Sequence, residues 1–542
     1  MVSTFRGADL VTRFLKNAGI DRWFALSGNQ IMPLFDASID AGVDLFHVRQ
    51  EAAAVHMADA WGRLTGKIGV AVVTAGPGLA NCLSALYVAK MSESPMLLLS
   101  GRAPSNRNGL GSFQEMPQAK IAKPVCKASW SVSDANRLSE DLSLALQLAG
   151  GGRPGPVHLS LPFDIVQAPV DLPPNQDASR SSFQLRGNPI DPSLTKQIVA
   201  ALHGAKRPII LSGPSSMRGN SGDRLSEFQQ LTNVPAIGME SPRGVNDPSL
   251  GAIAQILPQA DMVLLFGKEM NFTLRQQGEL IFNPDCQFMQ LDAEKSTIEL
   301  TRRVLDDSSR LTLAGVAESS MAIEALLKSA SDLTWPASEW IQQVLAATSY
   351  RPANWSEIDD SPPLHPSRVC DSINSFLAAP NSVLVSDGGE FGQWAQACIR
   401  ADQRIINGPS GSIGSAIPFA LAARLACPDS KVVATLGDGT FGFHAMEFDT
   451  AVRYDLPFTA VVGNDAMWNA EHQIQLRDYG PDRTVACDLL PTRYDQVAAS
   501  LGGFGEHVES VTALPAALQR ADRSRLPACL NVPIARVAAP TF

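Results

Sequence analysis

The sequence predicts an α/β protein made of three doubly wound parallel-sheet domains. Three observations carry this prediction. Short apolar runs of strand length alternate with helical patterns in three separate stretches, the signature of parallel α/β layers. Dividing the 542 residues by about 150 per domain leaves room for three to four domains. Charged residues make up 18% of the chain against 45% apolar ones, below the roughly 25% charge of average soluble proteins, which points to large buried interiors or interfaces.

The first domain, 1–170, carries strand candidates at 23–26, 45–48, 69–74, 96–100 and 157–161, with helical patterns over 8–17 and 51–62 between them. The stretch 170–189, rich in Pro, Ser, Asn and Asp, reads as a linker. The second domain, 190–330, has strands at 208–211, 262–266 and 287–291, and 329–366 reads as irregular. The third domain, 360–542, repeats the alternation with strands at 382–386, 432–436, 458–462 and 529–532. Its longest apolar stretch, 413–426, is interrupted by Pro418 and reads as a buried helix. The outer domains are similar in size, but no strong internal repeat is visible.

Composition excludes several function classes. A net charge of −10 spread thinly along the chain argues against an electrostatic nucleic-acid binder. Apolar runs stay far short of the roughly 20 residues of a membrane span, so no membrane role is expected. The eight cysteines form no CxxC pair and suit reduced, mostly buried thiols, which together with an N-terminus lacking an apolar h-region makes the cytoplasm the expected compartment.

The chemistry concentrates in two turns of the third domain. The run 431–436 ends in Gly437-Asp438-Gly439-Thr440, and a helical pattern over 443–454 follows. Ligands of parallel sheets bind outside the carboxyl ends of strands, glycine-rich turns at helix starts favour phosphate, and a carboxylate there can hold Mg²⁺ against diphosphate oxygens. Taken alone, the turn is an ordinary helix cap. The next strand, however, ends in a second oxygen-rich turn, Gly463-Asn464-Asp465-Ala466-Met467-Trp468-Asn469.

This strand, Gly-Asp-Gly, helix, strand, Asn arrangement resembles the motif of thiamine diphosphate-dependent enzymes. The resemblance implies Mg²⁺ ligands at Asp438, Asp465 and the Met467 carbonyl, with Asn-Asp where the family usually has Asn-Asn; whether Asn464 or Asp465 supplies the side chain stays open. It implies a diphosphate cradle of Gly437, Asp438, Gly439 and Thr440, with Trp468 beside it. In the first domain, Arg49-Gln50-Glu51 and the segment to Arg63 resemble the family's activating helix, so Glu51 is expected to hydrogen-bond the cofactor's aminopyrimidine. Gly76-Pro77-Gly78 with Asn81 resembles the turn beside the pyrimidine. Asp387-Gly388-Gly389-Glu390-Phe391 and Trp394 resemble the loop approaching the diphosphate. Gly411-Ser412-Ile413-Gly414 resembles the segment whose bulky residue bends the cofactor, which assigns Ile413 that role. The family builds each site from two subunits, so a homodimer or homotetramer is implied.

The branch of the family follows from finer features. No two histidines are adjacent, unlike the pyruvate-decarboxylase-like branch, whereas Phe113-Gln114 is the pattern of acetolactate synthases and their relatives, including benzaldehyde lyase and 2-hydroxyacyl-CoA lyase. Gln114 is expected to hydrogen-bond the reacting oxygen. Ile474 stands where acetolactate synthases carry a Trp, and Gln30 where benzaldehyde lyase has a catalytic His. The chain also stops soon after its final strand, where CoA lyases generally extend. The resemblance therefore implies a carbon–carbon lyase/ligase acting on 2-oxo acids or 2-hydroxy ketones through a C2 ylide and an enamine, with an aldehyde as a candidate acceptor. A 2-oxo acid decarboxylase and a 2-hydroxyacyl-CoA lyase are the alternatives, and a non-catalytic relative is the different-class rival. FAD or ADP in the middle domain has no readable fingerprint, since the loops 213–218 and 267–275 are unspecific. His444 and Glu447 share a predicted helical face and read as a solvated or capped pair rather than a metal site.

Overall fold

The computed structural model describes residues 5–170, 187–305 and 307–542. The first sheet contains β1 (Arg22–Ala25), β2 (Asp44–His47), β3 (Gly69–Val73), β4 (Met96–Arg102), β5 (Ala128–Ser131) and β6 (Pro156–Pro162), in the order β2-β1-β3-β4-β6-β5. The second begins with β7 (Pro208–Ser212), β8 (Ala236–Gly238) and β9 (Met262–Phe266). A small hairpin of β10 (Arg275–Gln276) and β11 (Glu279–Leu280) intervenes before β12 (Gln287–Asp292) and β13 (Leu311–Val316) complete the order β13-β12-β9-β7-β8. The third contains β14 (Ser382–Ser386), β15 (Gln403–Ile406), β16 (Lys431–Gly437), β17 (Thr459–Asn464), β18 (Phe504–His507) and β19 (Ala528–Pro533), in the order β15-β14-β16-β17-β19-β18. All pairings within the three sheets are parallel.

Numbered from its own first strand, each outer sheet has the same order, 2-1-3-4-6-5. The repeat that the residues do not display is therefore present as topology. In both sheets the first and third strands are neighbours at the point where the winding reverses, and the crevice at their carboxyl ends is where such sheets bind ligands.

The described chain forms two compact units, one carrying the first and third sheets and the other the second. Within the first unit, the helix Glu51–Thr65 packs against the helix Ala416–Ala426. Both follow the second strand of their sheet, and their alanines let the backbones approach. Gln50 caps the first helix by accepting the Ala52 N–H at 2.7 Å, and left-handed Gly66 ends it. Arg63 is buried between the two helices. It pairs with Asp59, donates to the Ile406 carbonyl at 2.6 Å, and lies 4.9 Å over the Phe419 ring. A buried pair broken on one side costs about 3–5 kcal/mol, so this join is specific.

Several expectations need correction. The stretch 329–366 is not uniformly irregular: the helix Glu339–Ser349 buries Trp340 and Val344 in the core of the second sheet, so that unit extends past 330. Its apolar residues Trp340, Ile341, Val344 and Ala347 recur at helical spacing, which is why it packs there. The expected helix over 443–454 is two helices, Asp438–His444 and Glu447–Arg453. The helix expected from 413 begins at Ala416, leaving Ile413 in the loop before it. Most of the expected linker at 170–189 lies outside the described residues.

Candidate active site

In the third sheet, β14 and β16 flank the reversal point, and each delivers a carboxylate there. Asp387, directly after β14, is fully buried and accepts backbone N–H groups from Gly388 at 2.8 Å, Gly414 at 2.9 Å and Ala416 at 3.1 Å. Burial pushes its carboxyl up to about 6, against the pull of those donors. The result ties the Gly411–Gly414 loop to the end of β14. Ile413 packs on Gly388 so closely that a Cβ built there would lie 2.7 Å from the Ile413 methyl. Asn407 adds a bond from its amide nitrogen to the Ser412 carbonyl at 2.7 Å, and His444 donates from Nδ1 to the Gly414 carbonyl at 2.6 Å. Gly411 is exposed, and Ser412 and Ile413 are half-buried.

Asp438 opens the helix that follows Gly437, and it accepts the Met467 N–H at 3.2 Å. Its carboxyl is in hydrogen-bond contact with that of Asp465, and burial pushes both upward, with the charge of Asp438 adding to the shift at Asp465. Two carboxylates side by side, Asp438 buried and Asp465 half-buried, are a costly arrangement that a hard divalent cation would relieve. Among the described residues no three His, Cys, Asp or Glu side chains converge, so a cation here would need further oxygens from backbone or cofactor. Asn464 is committed elsewhere: its amide nitrogen donates to the Thr492 carbonyl and to Asn531 Oδ1, while its own oxygen accepts the Ala466 N–H. Asp465, not Asn464, is therefore the side chain that meets Asp438. Gly439 faces the Trp468 ring, with 2.5 Å left for a Cβ, and Thr440 donates back to the Gly437 carbonyl at 2.9 Å.

The first sheet carries a matching crevice between β1 and β3. Glu51, the first residue of its helix, accepts a bond from the Asn81 amide at 3.0 Å. Gln30 is buried, its Oε1 accepting the Thr74 hydroxyl at 2.7 Å. Gly76 has φ +56° and would place a Cβ 2.8 Å from the Gln114 carbonyl oxygen, so only glycine fits. Gln114 itself has φ +58°, a left-handed conformation unusual for a side chain of its size. The structure thus brings Glu51, Gly76, Asn81, Gln30 and Gln114 to one crevice, and Asp438, Asp465, Met467, Trp468 and Ile413 to the other.

Other named residues lie differently. Glu390 accepts the N–H of Ala539, and the Trp394 indole donates to the Ala538 carbonyl at 3.0 Å, so both hold the C-terminal segment. Phe391 is buried beneath Gly463 at the end of β17. Phe113 is 73% exposed and Ile474 47% exposed. His444 and Glu447 sit on separate helices, both buried, with Glu447 accepting the Arg49 N–H at 3.0 Å; the solvated-pair reading does not hold. Asp387 was read from sequence only as part of the loop beside the diphosphate, without its role as an anchor, and Gln118 was not read at all. The anchor could have been found from its place after an apolar run, but Gln118 offers no local signal.

In the second unit, Gly213 and Gly267 meet at the reversal point between β7 and β9, where a Cβ on Gly213 would lie 1.9 Å from the Gly267 carbonyl. Lys268 beside them is buried and donates to Thr273, to Asn271 and to the Glu269 carbonyl.

The third-domain half-site lies within a match to the thiamine pyrophosphate enzyme C-terminal TPP binding domain at residues 387–532, and the first-domain half-site within a match to the N-terminal TPP binding domain at residues 5–121. A probable acetolactate synthase of Mycobacterium bovis is 32% identical over 540 residues, covering 98% of this chain and 96% of that protein. Human 2-hydroxyacyl-CoA lyase 2 is 29% identical, covering 98% of this chain and 91% of its own length. The bovine 2-hydroxyacyl-CoA lyase 2 is 30% identical over 93% of this chain and 85% of its own. With both crevices carrying the residues described, the chain belongs to the thiamine pyrophosphate enzyme family.

Proposed function

We propose that the protein is a thiamine diphosphate- and Mg²⁺-dependent carbon–carbon lyase/ligase, acetolactate synthase-like, acting on 2-oxo acids or 2-hydroxy ketones. The observation that carries this reading is the pairing of two half-sites at equivalent points of two like sheets, Glu51–Asn81 in one and Asp438–Asp465 in the other. The residues present fit the group. Asp438, Asp465 and the Met467 carbonyl would hold Mg²⁺, which relieves the mutual repulsion of the carboxylates. Gly437, Gly439 and Thr440 would face the diphosphate at the helix start, and Ile413 would pack against the bent cofactor.

Bound thiamine diphosphate supplies an electron sink at a carbonyl carbon. The chain's own residues do the rest. Asn81 holds the Glu51 carboxylate by its Oε2, leaving Oε1 to share a proton with the pyrimidine nitrogen. Gln30, whose oxygen is engaged by Thr74, presents its amide as a donor. Gln114 presents another, towards the oxygen of the reacting carbonyl, where developing charge makes a fixed donor most effective. Phe113 beside it would exclude water.

The reading includes an assembly of two or four identical chains, with Glu51 of one serving Asp438 of another. The exposure of Phe113 (73%), Phe443 (53%) and Met446 (46%) on the single chain supports it. Eight unpaired cysteines support a reducing compartment, the cytoplasm. No helix among the described residues is long and apolar enough to cross a membrane.

Product analysis with a 2-oxo acid, with and without an added acceptor aldehyde, tests the reading. A coupled 2-hydroxy ketone is expected when the acceptor is present. Free aldehyde alone in both cases would mark a decarboxylase and overturn the ligase reading. The similarity to 2-hydroxyacyl-CoA lyases supports a second reading, in which a 2-hydroxyacyl-CoA is cleaved, and the same assay with that substrate decides between them.

A further inference from the structure

A polar chain runs through the first domain where the sheet is otherwise apolar. Gln118 is 1% exposed, and its side chain is fully engaged. Its Oε1 accepts the Gly76 N–H at 2.9 Å. Its Nε2 donates to Ser100 Oγ at 2.7 Å, to the Gly101 carbonyl at 2.9 Å and to Ser160 Oγ at 3.3 Å. Because Gly76 can only donate and Gly101 can only accept, the amide has one permitted orientation. Beyond it, Ser100 bonds His158 Nε2 at 2.7 Å, and His158 Nδ1 bonds Ser129, whose hydroxyl donates to the Ala119 carbonyl at 2.9 Å. One tautomer satisfies every member: Ser100 donates to Nε2, and Nδ1–H donates to Ser129.

Such a network is expensive to bury and gains nothing that apolar packing would not supply, unless it fixes something. What it fixes lies at its open end. Gly76 is gripped twice by the segment 114–118, through its N–H by the Gln118 amide and through its Cα by the backbone of Gln114. Both residues of that contact, Gly76 and Gln114, have positive φ. For Gln114 such strain costs on the order of 1 kcal/mol and persists only where the surroundings over-determine it.

We propose that Gln118, held in one orientation by Gly101 and by Ser100, which His158 braces in turn, is a positioning residue that locks the strained Gln114 against Gly76 and so aims the Gln114 amide at the reacting carbonyl. This rests on the reading of Gln114 given above. The test compares Gln118→Met, Ser100→Ala, Gln114→Ala and the Gln114→Ala/Gln118→Met double variant in the full-length protein. Thiamine diphosphate affinity is read by tryptophan fluorescence, deuterium uptake by the peptides covering 74–80 and 110–117, and kcat and KM with a 2-oxo acid.

Gln118→Met should lower kcat by on the order of tenfold, with cofactor affinity held within about threefold. Uptake at 110–117 should rise, and the double variant should be no slower than Gln114→Ala alone. Ser100→Ala, one bond removed, should move in the same direction by less, and it serves if Gln118→Met does not fold. A kcat within about twofold of the parent in both single variants, or losses that multiply with Gln114→Ala, would overturn the proposal. Should Gln114→Ala itself leave kcat unchanged, the reading of Gln114 fails and this proposal with it. A loss at Gln114 with none at Gln118 or Ser100 fails the proposal alone.

Discussion

Glu447, on the second helix after the Gly-Asp-Gly turn of the third domain, accepts the backbone N–H of Arg49 at 3.0 Å, two residues before Glu51 in the first domain. Its carboxylate also accepts the Thr450 hydroxyl at 2.6 Å, and burial holds its carboxyl above the usual range. Nearby, Arg453 donates to the His47 carbonyl at 2.7 Å and Tyr454 to the Leu45 carbonyl at 3.0 Å. The turn that presents Glu51 is thus set by side chains of the third domain in the same chain.

Replacing Glu447 by Ala removes the acceptor of a part-buried backbone N–H, at about 0.5–1.5 kcal/mol. Urea unfolding should show a loss of that size, and deuterium uptake should rise in the peptide covering 47–55. A stability change below about 0.5 kcal/mol would mean the contact contributes little to the join.

Asp465→Asn separates the two roles of the carboxylate pair. Without Mg²⁺ the variant should melt at the same or a higher temperature than the parent, because one of two adjacent carboxylates that repel each other is gone. With Mg²⁺ and thiamine diphosphate, the ligand-induced rise in Tm should shrink. A ligand at a hundred times its Kd stabilises by about 2.7 kcal/mol, so the loss is readily measured by thermal shift. An unchanged rise would show that Asp465 does not hold the cation.

His158 gives a pH signature. Burial holds it neutral, pushing its pKa down to about 3 from the ordinary 6.5. Below that ordinary value the unfolded chain binds a proton that the folded chain refuses. The contribution is therefore fully present above about pH 6.5 and is lost as pH falls towards 3. At pH 5 the loss is about 2 kcal/mol, at roughly 1.4 kcal/mol per pH unit. In His158→Gln the fall in unfolding free energy between pH 7 and pH 5 should be smaller than in the parent by about that amount. Parallel pH curves would contradict it.

The strands that escaped sequence analysis share a physical trait. Apart from the two-residue hairpin strands β10 and β11, they are β5, β8, β13, β15 and β18, all edge strands of their sheets. Ala128–Ser131 and Phe504–His507 are half-buried throughout, with no continuous apolar run, whereas the central β3 and β14 are buried at every residue and stand out in the sequence. The same contrast separates the site residues. Asp438 and Asp465 each sit in a contiguous turn after an apolar strand, so their pattern is visible locally. Gln118 acquires its meaning from Gly76, Ser100 and Ser160, which only the parallel crossovers bring beside it. Glu390 and Phe391 were placed with the diphosphate by resemblance, but their side chains serve the C-terminal segment and the end of β17.

In the proposed function, Glu51 activates a bound thiamine diphosphate. Hydrogen–deuterium exchange at C2 of the cofactor, measured by rapid quench and NMR on the parent and on Glu51→Gln, tests it most directly. Exchange should be rapid in the parent and fall by at least about a hundredfold in the variant, with the cofactor still bound, the scale expected for loss of an acid–base group. Exchange at the parent's rate in Glu51→Gln would contradict it.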